Sequence, residues 1–116
     1  MAKLAIATSD GKVVNRHFGR ADTFLITDID IDDGSWKAVE SRKVEPVCIG
    51  RDHNDDRLLK NAAAFSDCEY MLVAKIGMSA ANAVESFGVQ VFEMPMLIPD
   101  AIDKMRRYVQ VQNLFL

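Results

Sequence analysis

A chain of 116 residues, 49% of them apolar, can bury one ordinary domain core without a disulfide framework or a structural metal. Its formal net charge of −3 at pH 7 speaks against a general nucleic-acid-binding face, which needs basic residues to neutralise phosphates. Two cysteines, Cys48 and Cys68, are too few for a disulfide scaffold and fit a reducing cytoplasm. The first residues lack the apolar core and cleavage pattern of a signal peptide, and no run approaches the length of a membrane span.

Residues 3–8 read as a buried strand, ended by the turn Ser9-Asp10-Gly11-Lys12. Residues 23–31 alternate in polarity and predict a second strand. Asp32-Asp33-Gly34-Ser35 is a hairpin turn, and residues 36–44 return as an antiparallel strand. The charges of that strand (Lys37, Glu40, Arg42, Lys43) suit a sheet edge. Residues 45–54 form a loop that holds Pro46, Cys48, Gly50 and His53. Asn54 can cap a helix running to about Ser66, with Leu58, Leu59, Ala62 and Phe65 as its apolar stripe.

A short strand over 70–74 follows. Gly77-Met78-Ser79 opens a second helix, with Ser79 as its cap, which stops at Gly88. Residues 89–92 form another strand. Pro99 starts a third helix to about Tyr108, with Ala101, Ile102, Met105 and Val109 inward. The order β-β-β-α-β-α-β-α predicts one domain over 1–116: a five-stranded mixed sheet with helices on both faces and right-handed crossovers in its second half. Leu114, Phe115 and Leu116 must pack intramolecularly or on a partner.

Chemistry concentrates in Arg16-His17-Phe18-Gly19-Arg20. An imidazole can ligate metal, the flanking guanidinium groups of Arg16 and Arg20 can balance an anion, and Gly19 leaves room for close approach. Cys48 and His53 share a polar loop, where Cys48 could ligate iron as a thiolate. A closed zinc site would need Cys48, His53, His17 and Cys68 together, but Cys68 enters a buried strand and reads as a structural thiol. The N–H groups of Gly77-Met78-Ser79-Ala80 could face an anion. No nucleophile elbow and no persuasive set of carboxylates is present.

Several of these segments together resemble the dinitrogenase iron–molybdenum cofactor-binding family, which includes NifX-like proteins and the C-terminal domain of NifB. They are the opening strand Leu4-Ala5-Ile6-Ala7-Thr8, and Asn15-Arg16-His17-Phe18-Gly19-Arg20-Ala21 with Phe24 and Ile26 after it. Asp67-Cys68, Ile76-Gly77 and Phe87-Gly88-Val89-Gln90-Val91-Phe92 complete the pattern, which extends to about Tyr108. The stretch from Glu45 through Leu59 is similar to the NifB type. The resemblance implies a ribonuclease-H-like three-layer α/β/α sandwich and a protein that binds or carries an iron–sulfur or iron–molybdenum-type cluster transiently. It makes His17 the candidate metal ligand; Cys48 joins it from local chemistry alone. The chain lacks the Cys-x3-Cys-x2-Cys motif of the radical-enzyme portion of NifB, so that activity is not expected here.

The leading expectation is therefore a non-catalytic cytoplasmic carrier for an anionic metal–sulfur cluster, with a cluster donor or recipient protein as partner and neither nucleic acid nor membrane. Its expected site is His17, Arg16, Gly19, Arg20, Cys48 and His53, with His17 and Cys48 on the metal. The alternatives are a regulatory or interaction module for another anion or metal species and, with less in its favour, a ribonuclease-H-like nuclease, which needs clustered carboxylates. The loops bearing His17 and Cys48 to His53 are expected at the same end of the sheet.

Overall fold

The computed structural model describes residues 1–46 and 55–115. In chain order the strands are β1 (Ala2–Ala7), β2 (Thr23–Ile29), β3 (Trp36–Lys43), β4 (Tyr70–Val73) and β5 (Gln90–Glu93); the helices are α1 (Asp55–Ala63), α2 (Met78–Glu85) and α3 (Ile98–Asn113). The sheet order is β3-β2-β1-β4-β5. β1 pairs antiparallel with β2 and parallel with β4; β3 is antiparallel to β2, and β5 parallel to β4. The result is an α/β domain with a five-stranded mixed sheet.

Central β1 is apolar on both faces because both faces are covered. Its Ala5 and Ala7 join Phe24, Phe65, Met71 and Val84 in one core layer, beneath α1 and α2. Its Leu4 and Ile6 join Leu72, Ile98, Ile102 and Met105 in the other, beneath α3. Each large apolar side chain buried in these layers contributes about 1.5–3 kcal/mol. Helices therefore lie on both sides of the sheet. Thr27, buried on β2, donates its hydroxyl to the Leu4 carbonyl at 3.3 Å, so the core carries that oxygen without an unmet bond.

β3 is the exposed edge that its charges predict. Its register with β2 shifts between Ile26 and Thr27, which face Glu40 and Ala38, leaving Val39 as an extra residue. A bulge of this kind twists an edge away from further pairing. The β2–β3 turn is closed by Gly34 at φ +82° and held from α3, where Arg106 donates to the carbonyls of Ile31 and Asp32 at 3.0 Å each.

Several expected boundaries move. β2 stops at Ile29 because the chain turns at Asp30, whose carbonyl accepts from Gly34 and whose carboxylate accepts from Asp32. α1 ends at Ala63 rather than Ser66, in tight turns over residues 64–67, and Leu59 is half-exposed rather than part of the inner stripe. Ser79 is not the cap of α2: Gly77 takes that position in extended backbone, with no side-chain capping bond, and Ser79 lies inside the helix. α3 continues past Tyr108 to Asn113, since nothing in Val109-Gln110-Val111-Gln112 breaks it. Leu114 and Phe115, 80% and 83% exposed, do not pack intramolecularly. Asn54 and Leu116 lie outside the described residues. No helix among the described residues is long and apolar enough to cross a membrane.

Arg42 ties β3 to the segment after α1. Its guanidinium reaches Asp67 at 2.8 Å, the Ala64 carbonyl at 2.8 Å and Glu40. Arg42 holds the Asp67 carboxyl down at about 2, from an ordinary 3.8. A depressed folded value means stability that is present above about pH 4 and lost as pH falls through 2. The Asp67 side chain is 45% exposed, so solvent screening limits the contribution to about 1 kcal/mol. Acid denaturation should show Asp67→Asn less stable than wild type at neutral pH, with the two curves converging near pH 2. Parallel curves throughout would mean that the pair does not carry this pH dependence.

Candidate functional site

The loop between β1 and β2 is laced to two strand ends. The Arg16 amide donates to the Ala7 carbonyl of β1 at 3.3 Å, and its carbonyl accepts from Ala74, just after β4, at 3.0 Å. His17 bridges in parallel to Lys75, and the Phe18 amide donates to the Lys75 carbonyl at 2.9 Å. The His17 carbonyl then accepts from both Arg20 and Ala21, closing a 3-10 turn over Phe18–Arg20. Phe18 faces inward, 2% exposed, against Phe24 at a ring separation of 6.1 Å. Burial of Phe18 beside an exposed His17 fixes the backbone and turns the imidazole outward.

The C-terminal ends of β1 and β4 therefore meet where the neighbours of β1 change from antiparallel to parallel. Crevices at such reversals are common ligand sites in α/β sheets. Here a cleft of about 360 Å³ opens, lined by His17, Gly19 and Arg20 from the loop, Leu58 from α1, and residues 75–80. Its floor is partly apolar, with Leu58 and Ile76, and its rim carries Arg20 and Lys75. Neither cation enters an ion pair among the described residues. The Ile76 amide is taken by the Glu93 carboxylate at 2.9 Å, whereas the start of α2 just beyond has no side-chain cap. The uncapped amides and the helix dipole add positive potential to the same cleft.

Four of the expected site residues fall in the described structure. His17, Gly19 and Arg20 line this cleft together. Arg16 does not: it lines an adjoining hollow of about 210 Å³ with Asn15, His17 and Arg20, and its guanidinium donates to the Arg20 carbonyl at 2.9 Å. It braces the loop instead of facing the cleft. Gly19 sits in the 3-10 turn, lines the cleft and is not among the glycines with positive φ, so left-handed backbone is not what it contributes. Cys48 and His53 lie outside the described residues. The flanks of their segment are described. The Val44 amide donates to the Asp22 carbonyl at 2.9 Å, close after the His17 turn, and Leu58 of α1 reaches the cleft.

Cys68 is remote in character from this site. It is 3% exposed, and burial together with the Asp67 charge pushes its thiol up to about 12, so it stays protonated at neutral pH. Among the described residues no group of three or more His, Cys, Asp or Glu could hold a metal ion, and of those residue types His17 alone is among the described lining of the cleft, with cations around it. Lys75 is a cleft residue that sequence reasoning missed, and Met78 enters that reasoning only for its backbone N–H within residues 77–80 and not for its side chain. The signal was present in the topology, since a parallel crossover from β4 must leave residues 75–78 beside the loop that leaves β1.

Residues 1–108 match the family model described as dinitrogenase iron-molybdenum cofactor. The chain is 35% identical over 104 residues to the FeMo cofactor biosynthesis protein NifB of Frankia alni, covering 87% of this chain but 19% of that protein. It thus spans about a fifth of the length of the NifB relatives it matches. Protein NifX of Sinorhizobium fredii is 28% identical over 114 residues, 93% of this chain and 70% of that one. Among solved structures, the apo form of the orange protein from Desulfovibrio gigas shares the fold at a TM-score of 0.63 and 17% identity, covering 97% of this chain and 90% of that chain.

Proposed function

The chain belongs to the dinitrogenase iron-molybdenum cofactor family, and from that premise we propose that it is a non-catalytic carrier for an anionic iron–sulfur cluster, of the kind handled in building the nitrogenase cofactor. The observation that carries this reading is the cleft itself: a single exposed imidazole, His17, set among Arg20, Lys75 and the uncapped start of α2. An exposed imidazole can anchor a cluster that brings its own sulfides, with other donors completing its attachment, whereas a bare metal ion draws three or four ligands from the protein itself. The surrounding positive charge offsets the charge of the sulfides. In this reading residues 1–116 act as one unit, and the sheet order supports a ribonuclease-H-like description of the sandwich. The nuclease alternative lacks a carboxylate cluster to work from among the described residues. A plain oxyanion would use the same cations and helix start, and is the reading to beat.

Anaerobic titration with a preformed iron–sulfur cluster, followed by its charge-transfer absorption, tests the proposal. Saturable binding that excess phosphate or sulfate fails to displace is expected. Displacement by phosphate at comparable concentration would instead support the oxyanion site.

Cys48 and His53 remain candidate ligands because both flanks of their segment lie at the cleft end of the sheet. Cys48→Ser is expected to weaken cluster binding while leaving the melting temperature unchanged. Cys68→Ser is expected to do the reverse, lowering the melting temperature because a buried thiol gives way to a more strongly hydrated hydroxyl whose acceptor, the Asp67 carboxylate, lies 3.6 Å from the sulfur. Thermal melts and cluster titrations on both variants decide it, and wild-type binding by Cys48→Ser would make Cys48 a bystander.

A further inference from the structure

We propose that the thioether of Met78 is a second soft donor in the His17 cleft, closing on an exposed metal atom of the same bound cluster. This rests on the carrier reading above. Met78 opens α2 and lines the cleft that His17 lines, yet the residue is 81% exposed. A methionine left in water forgoes roughly 1.5–3 kcal/mol of burial, which Met71 and Met105 of the same chain obtain in full. Its unbranched side chain has three rotatable bonds and a polarizable sulfur, so it can swing across the cleft and meet a soft metal.

The surroundings favour a sulfide-rich ligand over an oxyanion. Leu58 and Ile76 give the floor an apolar surface that offers no hydrogen bonds, while Arg20 and Lys75 hold the rim. A phosphate oxygen would gain nothing from a thioether, whereas polarizable bridging sulfides pack against apolar groups and leave metal positions open to soft donors. The step is a ligand substitution. The Met78 Sγ lone pair forms a bond to the metal and a labile terminal ligand such as water departs, with no proton or electron transferred.

The test uses the full chain labelled with selenomethionine and loaded anaerobically with a preformed [4Fe–4S] cluster. Selenium-edge X-ray absorption should show an iron neighbour at bonding distance in wild type, and that signal should vanish in Met78→Leu, which keeps the volume and removes the donor. Cluster affinity of Met78→Leu should fall roughly tenfold, the lower end of what losing a supporting group at a metal site costs. An unchanged affinity for Met78→Leu, or no selenium–iron contact in the loaded wild type, overturns the assignment. If His17→Ala alone weakens binding, the carrier reading stands and Met78 is mere lining; if wild type takes up no cluster, both readings fall.

Discussion

If the chain carries a cluster as proposed, replacing His17 by alanine is expected to lower cluster affinity by about tenfold or more, as the loss of a metal-site group does, and replacing Arg20 by alanine by about fivefold at most, the range of an exposed charge pair. The two losses differ in kind as well as size. In the proposed site an imidazole would contribute a coordinate bond that salt does not screen, whereas the exposed Arg20 guanidinium would act through solvent from the rim of the cleft. Raising ionic strength should therefore shrink the Arg20 effect and leave the His17 effect in place. Titration of the wild type and both variants at two salt concentrations measures this. Equal losses at both salts, or no loss for His17→Ala, would move the anchor elsewhere.

Phe24→Ala is expected to destabilise the fold by about 3–5 kcal/mol, measured by urea denaturation. Phe24 is fully buried on β2, with ring centroids 4.6 Å from Phe65 and 6.1 Å from Phe18. The three rings join the segment after α1, the sheet and the 3-10 turn beside His17. Removing the middle ring leaves a cavity with partners on both sides, in a molecule whose whole stability is of order 5–15 kcal/mol. Variant and wild type should also differ in cluster affinity, because Phe18 loses the surface that seats it. A stability loss below about 1 kcal/mol would mean that the layer closes around the gap.

Local pattern made most of the fold legible. The apolar run at Leu4–Ala7, the alternation after Thr23 and the turn at Gly34 each follow from side-chain chemistry within a few residues. Pairing across the sheet does not. The His17–Lys75 bridge joins positions far apart in the chain, and no local signal in either segment names the other. For the same reason His17 and Arg20, which line the cleft, could be picked out from their own neighbourhood, while Lys75 could not and Met78 only for its backbone N–H. Arg16 looked equivalent to Arg20 in sequence, but a guanidinium can equally well brace a turn, and here it spends its donor on the Arg20 carbonyl. At the end of α3, the expected stop near Tyr108 fell short: no Gly or Pro stands between Tyr108 and Asn113, and the helix runs on to Asn113.

The lacing of the His17 backbone to two strands, with its imidazole left in solvent, has a kinetic consequence. A donor on a fixed main chain that already faces water needs no opening of the protein to let go. On the proposed reading, the dwell time of a cargo there would be set by ligand exchange at the metal and not by the breathing of a lid. A recipient carrying a stronger ligand, such as a thiolate, would then be expected to take the proposed cluster at a rate that rises with the recipient's concentration.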